Sequence, residues 1–260
     1  MSQARNALVR PLTARSVIAS TLLGIDPPRL SAAALVASGE QYGVAAGTTR
    51  VALSRMVEGG ELVAVDASYA LAGALLERHA RQAQGRHPRT LRWTGAWRIG
   101  VVRAAPRDAP ARAALRVAMG QLRFAELREG VWVRPDNLPR GDASHAALIV
   151  DAQCAWFVGE PDDVVDADAL FGTTQWAAVA RELLDELSAS APRLRAREAD
   201  ALGETFVTAA AATRLLTLDP LLPRELLPAD WPGDALRAAY DEYQSDFAAT
   251  WRAWVRGGPR

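Results

Sequence analysis

No lysine occurs among the 260 residues of the chain; all 30 basic side chains are arginine. Schiff-base chemistry and the P-loop, both of which need a lysine amine, are thereby excluded. A single cysteine, Cys154, rules out an internal disulfide and a cysteine-built zinc site. No apolar run approaches the roughly 18 residues that a spanning helix needs, so no transmembrane segment is expected. Met1 to Arg10 lacks the apolar stretch and small-residue cleavage site of a secretory signal, which makes the cytoplasm the expected location. Histidine is scarce too: only His79, His87 and His145 are available as neutral-pH bases, and none sits in a nucleophile or metal motif. Glycine-rich phosphate loops are missing, and the paired acids Asp162 and Asp163 read as a solvated turn. The sequence therefore assigns no catalytic residue, no metal ligand and no cofactor.

What is present has the make-up of a folded, water-soluble chain: 50% hydrophobic and 23% charged residues with a mean hydropathy of -0.04. The length allows one large domain or two to three small ones. A formal net charge of zero conceals an asymmetry. Residues 1 to 150 carry 20 arginines against 11 acids, +9, and residues 151 to 260 carry 10 against 19, -9. The front half is the candidate for phosphate contact; the alternative is that opposite charges hold the two halves together.

Thr13 to Leu23 places Val17, Ile18, Thr21 and Leu22 at helical spacing and closes at Gly24 before Asp26-Pro27-Pro28. Ser31 can cap a second helix that ends near Gly39 or Gly43, and a third runs from about Ala45 to Glu58. Glu61 to Val65 and Ser68 to Leu71 read as two short strands around Asp66-Ala67. Three helices and a hairpin are the order of a winged helix-turn-helix. Ala74 to Gln84 continues as helix, and Gly85 to Arg89 breaks the pattern. Beyond it, Trp97 to Arg103, Gly130 to Arg134 and Ala146 to Val150 read as strands, with Trp156 to Val158 as a further one. A helix over Ala109 to Met119 makes this a small α+β unit. From Thr173 the chain reads as helix, including Ala201 to Leu216 and a last helix after Asp234. Leu236, Tyr240, Tyr243, Phe247, Trp251 and Trp254 recur along that helix at spacings of three and four, a stripe read as core or dimer seam rather than ligand box.

In the third helix, Thr49, Ala52, Leu53 and Met56 fall on one inward stripe. The other side presents Arg50 and Ser54, flanked by Thr48 and Arg55, a mix of long and short donors suited to phosphates and base edges. Arg50 is the foremost base-reading candidate. Thr49 is a further candidate contact, or a buried residue by its place in the stripe, and Arg15 a backbone-phosphate contact. The hairpin tip, Asp66-Ala67-Ser68, has one acid and no base, a poor match to a minor groove.

Several segments resemble the PaaX-type transcriptional repressors of phenylacetate catabolism. The resemblance lies in Ala14-Arg15-Ser16-Val17-Ile18 with Thr21-Leu22-Leu23-Gly24, in Thr49 to Val57, and in Gly59-Gly60-Glu61-Leu62. It continues through Trp93-Thr94-Gly95-Ala96-Trp97 and Gly130 to Leu138. The most specific part is Asp219-Pro220-Leu221-Leu222-Pro223 with Leu226 to Gly233, whose prolines forbid a long helix. The resemblance implies an α+β protein of three domains: a winged helix-turn-helix over residues 1–89, a ferredoxin-like middle domain over 90–168 and a mainly helical domain over 169–260. It further implies a homodimer on a double-stranded DNA operator, released by a coenzyme A thioester such as phenylacetyl-CoA. Arg98 and Arg103 are the candidate effector contacts. The related fold of a CRISPR-associated nuclease carries an acidic metal ligand at the end of its first strand, whereas Trp97 to Arg103 ends in arginine, so nuclease activity is not expected. A protein or RNA interaction module that keeps the fold without operator reading is the alternative, and an enzyme acting on coenzyme A esters a more distant one.

Overall fold

A computed structural model of the chain describes residues 13–103, 108–140, 144–198 and 200–257. Met1 to Arg10, considered above for targeting, lies outside the described residues. In chain order the elements are α1 (Ala14–Leu23), β1 (Arg29–Ser31), α2 (Ala32–Gln41), α3 (Ala46–Glu58), β2 (Leu62–Val65), β3 (Ser68–Leu71) and α4 (Gly73–Arg86). They continue with β4 (Trp97–Val102), α5 (Ala109–Gln121), β5 (Ala125–Arg128), β6 (Val131–Pro135), α6 (His145–Gln153) and β7 (Cys154–Gly159). The last are α7 (Ala167–Phe171), α8 (Thr173–Arg195), α9 (Asp200–Thr217), a 3-10 turn at Arg224–Leu226 and α10 (Gly233–Gly257). The chain forms two compact units: Met1–Arg86 with Ala178–Thr217 and Pro232–Arg260, and His87–Ala177 with Leu218–Trp231.

In the first unit, α1 opens on a capping box in which Thr13 and Ser16 satisfy each other's backbone N-H groups. Ser31 then serves twice, as the last residue of β1 and as the side-chain cap of α2 through the Ala34 N-H. Ile18, Leu22, Leu35, Leu53 and Met56 meet Leu62, Leu71 and Leu75 in one core under the three helices. The sheet order is β1-β3-β2, all antiparallel. The β2-β3 turn has only two residues, Asp66 and Ala67, at φ 44° and 58°, the mirror-image turn that suits the twist of a hairpin.

The C-terminal helices of this unit pack against α4 and the end of α1. Gly85 of α4 sits so close to the Leu216 carbonyl of α9 that any side chain there would collide with backbone. Arg86 pairs with Asp241 at 2.7 Å and lies over the Tyr240 ring, and the Gln244 amide donates to the Gly24 carbonyl. Thr250 Oγ1 donates to the Leu194 carbonyl at 2.8 Å, tying α10 to α8.

The second unit runs β4-α5-β5-β6-α6-β7 with sheet order β5-β6-β4-β7, every neighbour antiparallel. Leu115 and Met119 of α5 and Val150 of α6 pack with Trp132 and Cys154 of the sheet. The leucine- and proline-rich segment near Asp219 closes against this unit. The Asn137 amide donates to the Leu221 carbonyl at 2.7 Å, Asp219 accepts from the Leu221 N-H at 2.8 Å, and Trp231 stacks on Trp176 at 4.4 Å.

One expected strand is a helix. Ala146 to Val150 belongs to α6, because the Ser144 hydroxyl caps the helix through the Ala147 N-H and burial falls on Ala146 and Val150, four residues apart, instead of alternating. Two short strands, β1 and β5, are additions to the expected set.

Candidate nucleic-acid interface

Helix α3 is held by its inward stripe. Thr49, Leu53 and Met56 are buried, and Thr49 packs against Gly39 of α2 at a separation that admits no side chain on the glycine. That orientation fixes the outer face: Thr48, Arg50, Val51, Ser54 and Arg55 are exposed. Thr49 is withdrawn from the contact set, since it has no exposed surface and its hydroxyl turns back to the Ala45 carbonyl. Ala45 gives α3 no side-chain cap, so the N-H groups of its first turn keep their positive end toward solvent.

Arg15, Thr48 and Arg55 come together. With Val51 and Glu61 they line a cleft of about 360 Å³ between the start of α1 and α3. Arg15 is not idle there: Nε donates to Glu61 Oε2 at 2.9 Å, and Nη2 donates to the other carboxylate oxygen. This two-point pair raises the Arg15 pKa above its ordinary value and points the guanidinium along the cleft. Arg50 and Ser54, one turn apart, lie beside the cleft on the outer surface. At the hairpin tip the acid noted in the sequence has a partner. Arg29 of β1 bonds both the Val65 carbonyl at 3.0 Å and the Asp66 carboxylate at 3.3 Å.

Arg98 and Arg103 do not converge. Five residues of extended chain separate them by about 16 Å. Arg98 lies over the Trp156 ring at 4.8 Å, on the face covered by α5 and α6, whereas Arg103 is exposed beyond the end of β4. What gathers around Arg98 is a set the sequence reading passed over. Arg134 is its cross-strand partner, is buried, and lies over the Phe124 ring at 5.1 Å. Burial, reinforced by the charges of Arg98 and Arg123 and opposed by Asp136, pushes the Arg134 pKa down to about 10. Neither Nε nor Nη1 of Arg134 meets a hydrogen-bond partner among the described residues. The signal in the sequence is its spacing: Arg134 stands two residues from Trp132, hence on the same sheet face.

Among the described residues, no group of three or more histidine, cysteine or acidic side chains forms a metal site, and no helix is long and apolar enough to cross a membrane. His79 is tied to the Ile25 carbonyl at 3.1 Å.

Residues 90–170 match the PaaX protein central Cas2-like domain, and residues 172–256 match the PaaX-like protein C-terminal domain. Among solved structures, the chain is similar to the uncharacterized protein Rv0674 from Mycobacterium tuberculosis. The two share 40% identity and a TM-score of 0.70 over 94% of this chain and 99% of that one. No curated protein matches. With two successive domains matched over most of its length and a full-length relative of the same fold, the chain belongs to the family of PaaX-type transcriptional regulators.

Proposed function

We propose that the protein is a homodimeric repressor of a catabolic operon that reads double-stranded DNA with α3 and releases it when an aryl- or acyl-coenzyme A thioester such as phenylacetyl-CoA binds. The observation that carries this reading is the polarity of α3: Leu53 and Met56 face inward while Arg50, Ser54 and Arg55 face solvent. In that posture Arg50 and Ser54 meet base edges in the major groove, and Arg15, Thr48 and the uncapped first turn meet phosphates. The helix, helix, helix, hairpin order supports a winged helix-turn-helix for this part. The β4-to-β7 order with its two intervening helices supports a ferredoxin-like middle domain.

A dimer offers two such helices to half-sites about 34 Å apart or a multiple of that spacing. The effector's phosphates are met by the guanidinium group of Arg98 with its neighbours Arg123 and Arg134; Arg103 stands as a separate, exposed contact. Ligand binding weakens the DNA complex only by favouring a dimer geometry in which the two reading helices are wrongly spaced.

The test is titration of the protein with DNA from upstream of its own gene. The reading requires binding that weakens steeply with salt, loss of sequence selectivity in Arg50→Ala, and release by phenylacetyl-CoA or a related thioester. Operator affinity unchanged across such thioesters removes the effector. Selectivity unchanged in Arg50→Ala favours instead a protein or RNA interaction module, the second reading, which the acid at the hairpin tip supports.

A further inference from the structure

The sheet of the second unit ends in β5 on one side and β7 on the other, and the two edges differ. β5 is four residues long, breaks register with β6 between Glu126 and Arg128, and carries both of those charges. Shortness, irregularity and charge keep a strand edge from pairing with another chain. β7 has none of them. It runs Cys-Ala-Trp-Phe-Val-Gly, with no charge and no proline, and its register with β4 is unbroken over all six residues. Phe157 is 57% exposed and Val158 53%.

The alternation of hydrogen bonds decides what the outer edge of β7 offers. The Arg103 N-H donates to the Gln153 carbonyl at 2.9 Å, one position beyond the β4-β7 ladder. In an antiparallel ladder this parity turns the N-H and C=O groups of Ala155, Phe157 and Gly159 toward β4, and those of Trp156 and Val158 outward. The Cys154 N-H is already bonded to the Val150 carbonyl. Trp156 and Val158 are thus the two outward residues, and a second β7 running antiparallel satisfies both by setting Trp156 of one copy against Val158 of the other.

Charge agrees with that pairing. Glu160, Asp162 and Asp163 follow the end of β7, and Arg103 stands beside its start; all four are exposed and form no ion pair among the described residues. Antiparallel pairing carries the acidic end of each strand to the basic end of the other.

We infer that β7 is the seam of a homodimer, in which two copies join edge to edge about a two-fold axis at Phe157 and make one continuous antiparallel sheet. Four backbone hydrogen bonds from Trp156 and Val158 hold the seam, the two Phe157 rings meet on the face away from α5 and α6, and Arg103 of each copy pairs with Glu160 of the other. Arg103 takes this role in the ligand-free dimer. The inference rests on the homodimer reading above and names its surface, in place of the α10 stripe.

The test is sedimentation equilibrium of the full chain without DNA. Wild type associates to a dimer. Val158→Pro removes an outward N-H from each copy while leaving the β4 ladder whole, and weakens association about tenfold. Arg103→Glu weakens it several-fold, and Arg103→Glu combined with Glu160→Arg restores it. In Phe157→Cys, mild oxidation links the two copies, because directly opposed residues of a non-hydrogen-bonded pair have Cα atoms about 4.5 Å apart, within disulfide reach. Leu76→Cys, exposed on α4, gives no such link. Should Val158→Pro lose its cooperative melt, the charge reversal and the disulfide decide. A wild-type dimer that these variants leave unweakened, with Phe157→Cys unlinked, overturns the β7 seam and leaves the homodimer standing on another surface. A wild type that stays monomeric overturns both.

Discussion

Gly39 of α2 lies directly against Thr49 of α3: a methyl group built on the glycine would overlap the threonine hydroxyl. The tilt of α3 thus depends on a missing side chain one helix away. Gly39→Ala is expected to lower unfolding stability by about 1–3 kcal/mol through overpacking. In a Thr49→Ala background the loss should shrink, because the clashing hydroxyl is gone and the two sites are coupled. Denaturant unfolding of the four proteins measures this, and an equal loss in both backgrounds would mean that the contact is not what constrains position 39.

The hairpin tip holds Ala67 at φ 58°, a left-handed conformation that an alanine side chain resists. Ala67→Gly should stabilise the protein by about 1 kcal/mol, readable as a rise in melting temperature of about 2–4 °C. Asp66→Asn, by contrast, should leave stability nearly unchanged, since the carboxylate paired with Arg29 is almost fully solvated. A fall in melting temperature for Ala67→Gly would show that the turn does not carry this strain.

Where the sequence is informative and where it is silent follow one physical distinction. The buried stripe of α3 is legible because Thr49, Leu53 and Met56 repeat at helical spacing over a whole amphipathic segment. Ala146 to Val150 is too short for that: five apolar residues carry no period, and the decisive signal is the capping hydroxyl of Ser144 just outside the run. The separation of Arg98 from Arg103 follows from the length of extended chain between them, which carries Arg103 past the end of β4. By contrast, nothing local announces that Arg134 stays buried, because its burial is made by Phe124 and the helices packed over that face. The α10 stripe reveals an apolar face; that Tyr240 and Tyr243 meet Thr213 and Thr205 of α9 is set by residues some thirty positions earlier in the chain.

Glu61 holds Arg15 through both carboxylate oxygens in the cleft beside α3. On bare duplex DNA, Glu61→Gln removes one negative charge from that cleft and frees the guanidinium for a phosphate. Affinity should rise several-fold, and the dependence of binding on salt should steepen by about one unit of slope. Binding measured across a salt series checks both. If affinity falls instead, the carboxylate acts by positioning Arg15 rather than by competing for it.

Arg134 has a folded pKa near 10, below its ordinary value, so the unfolded chain binds the extra proton between the two. Stability from this group therefore rises with pH only in that strongly alkaline window; at neutral pH the arginine is charged in both states and its full destabilising effect is present. Arg134→Met keeps the stem against Phe124 while removing the charge, and should stabilise the protein at pH 7 by on the order of 1–3 kcal/mol. A phosphate-bearing ligand brings an anion against the guanidinium groups of Arg98 and Arg134. Pyrophosphate or coenzyme A should accordingly raise the melting temperature of wild type and leave that of Arg134→Met unmoved. Equal shifts in the two proteins would take the anion away from this cluster, and a less stable Arg134→Met would mean that the buried charge already has its counter-ion.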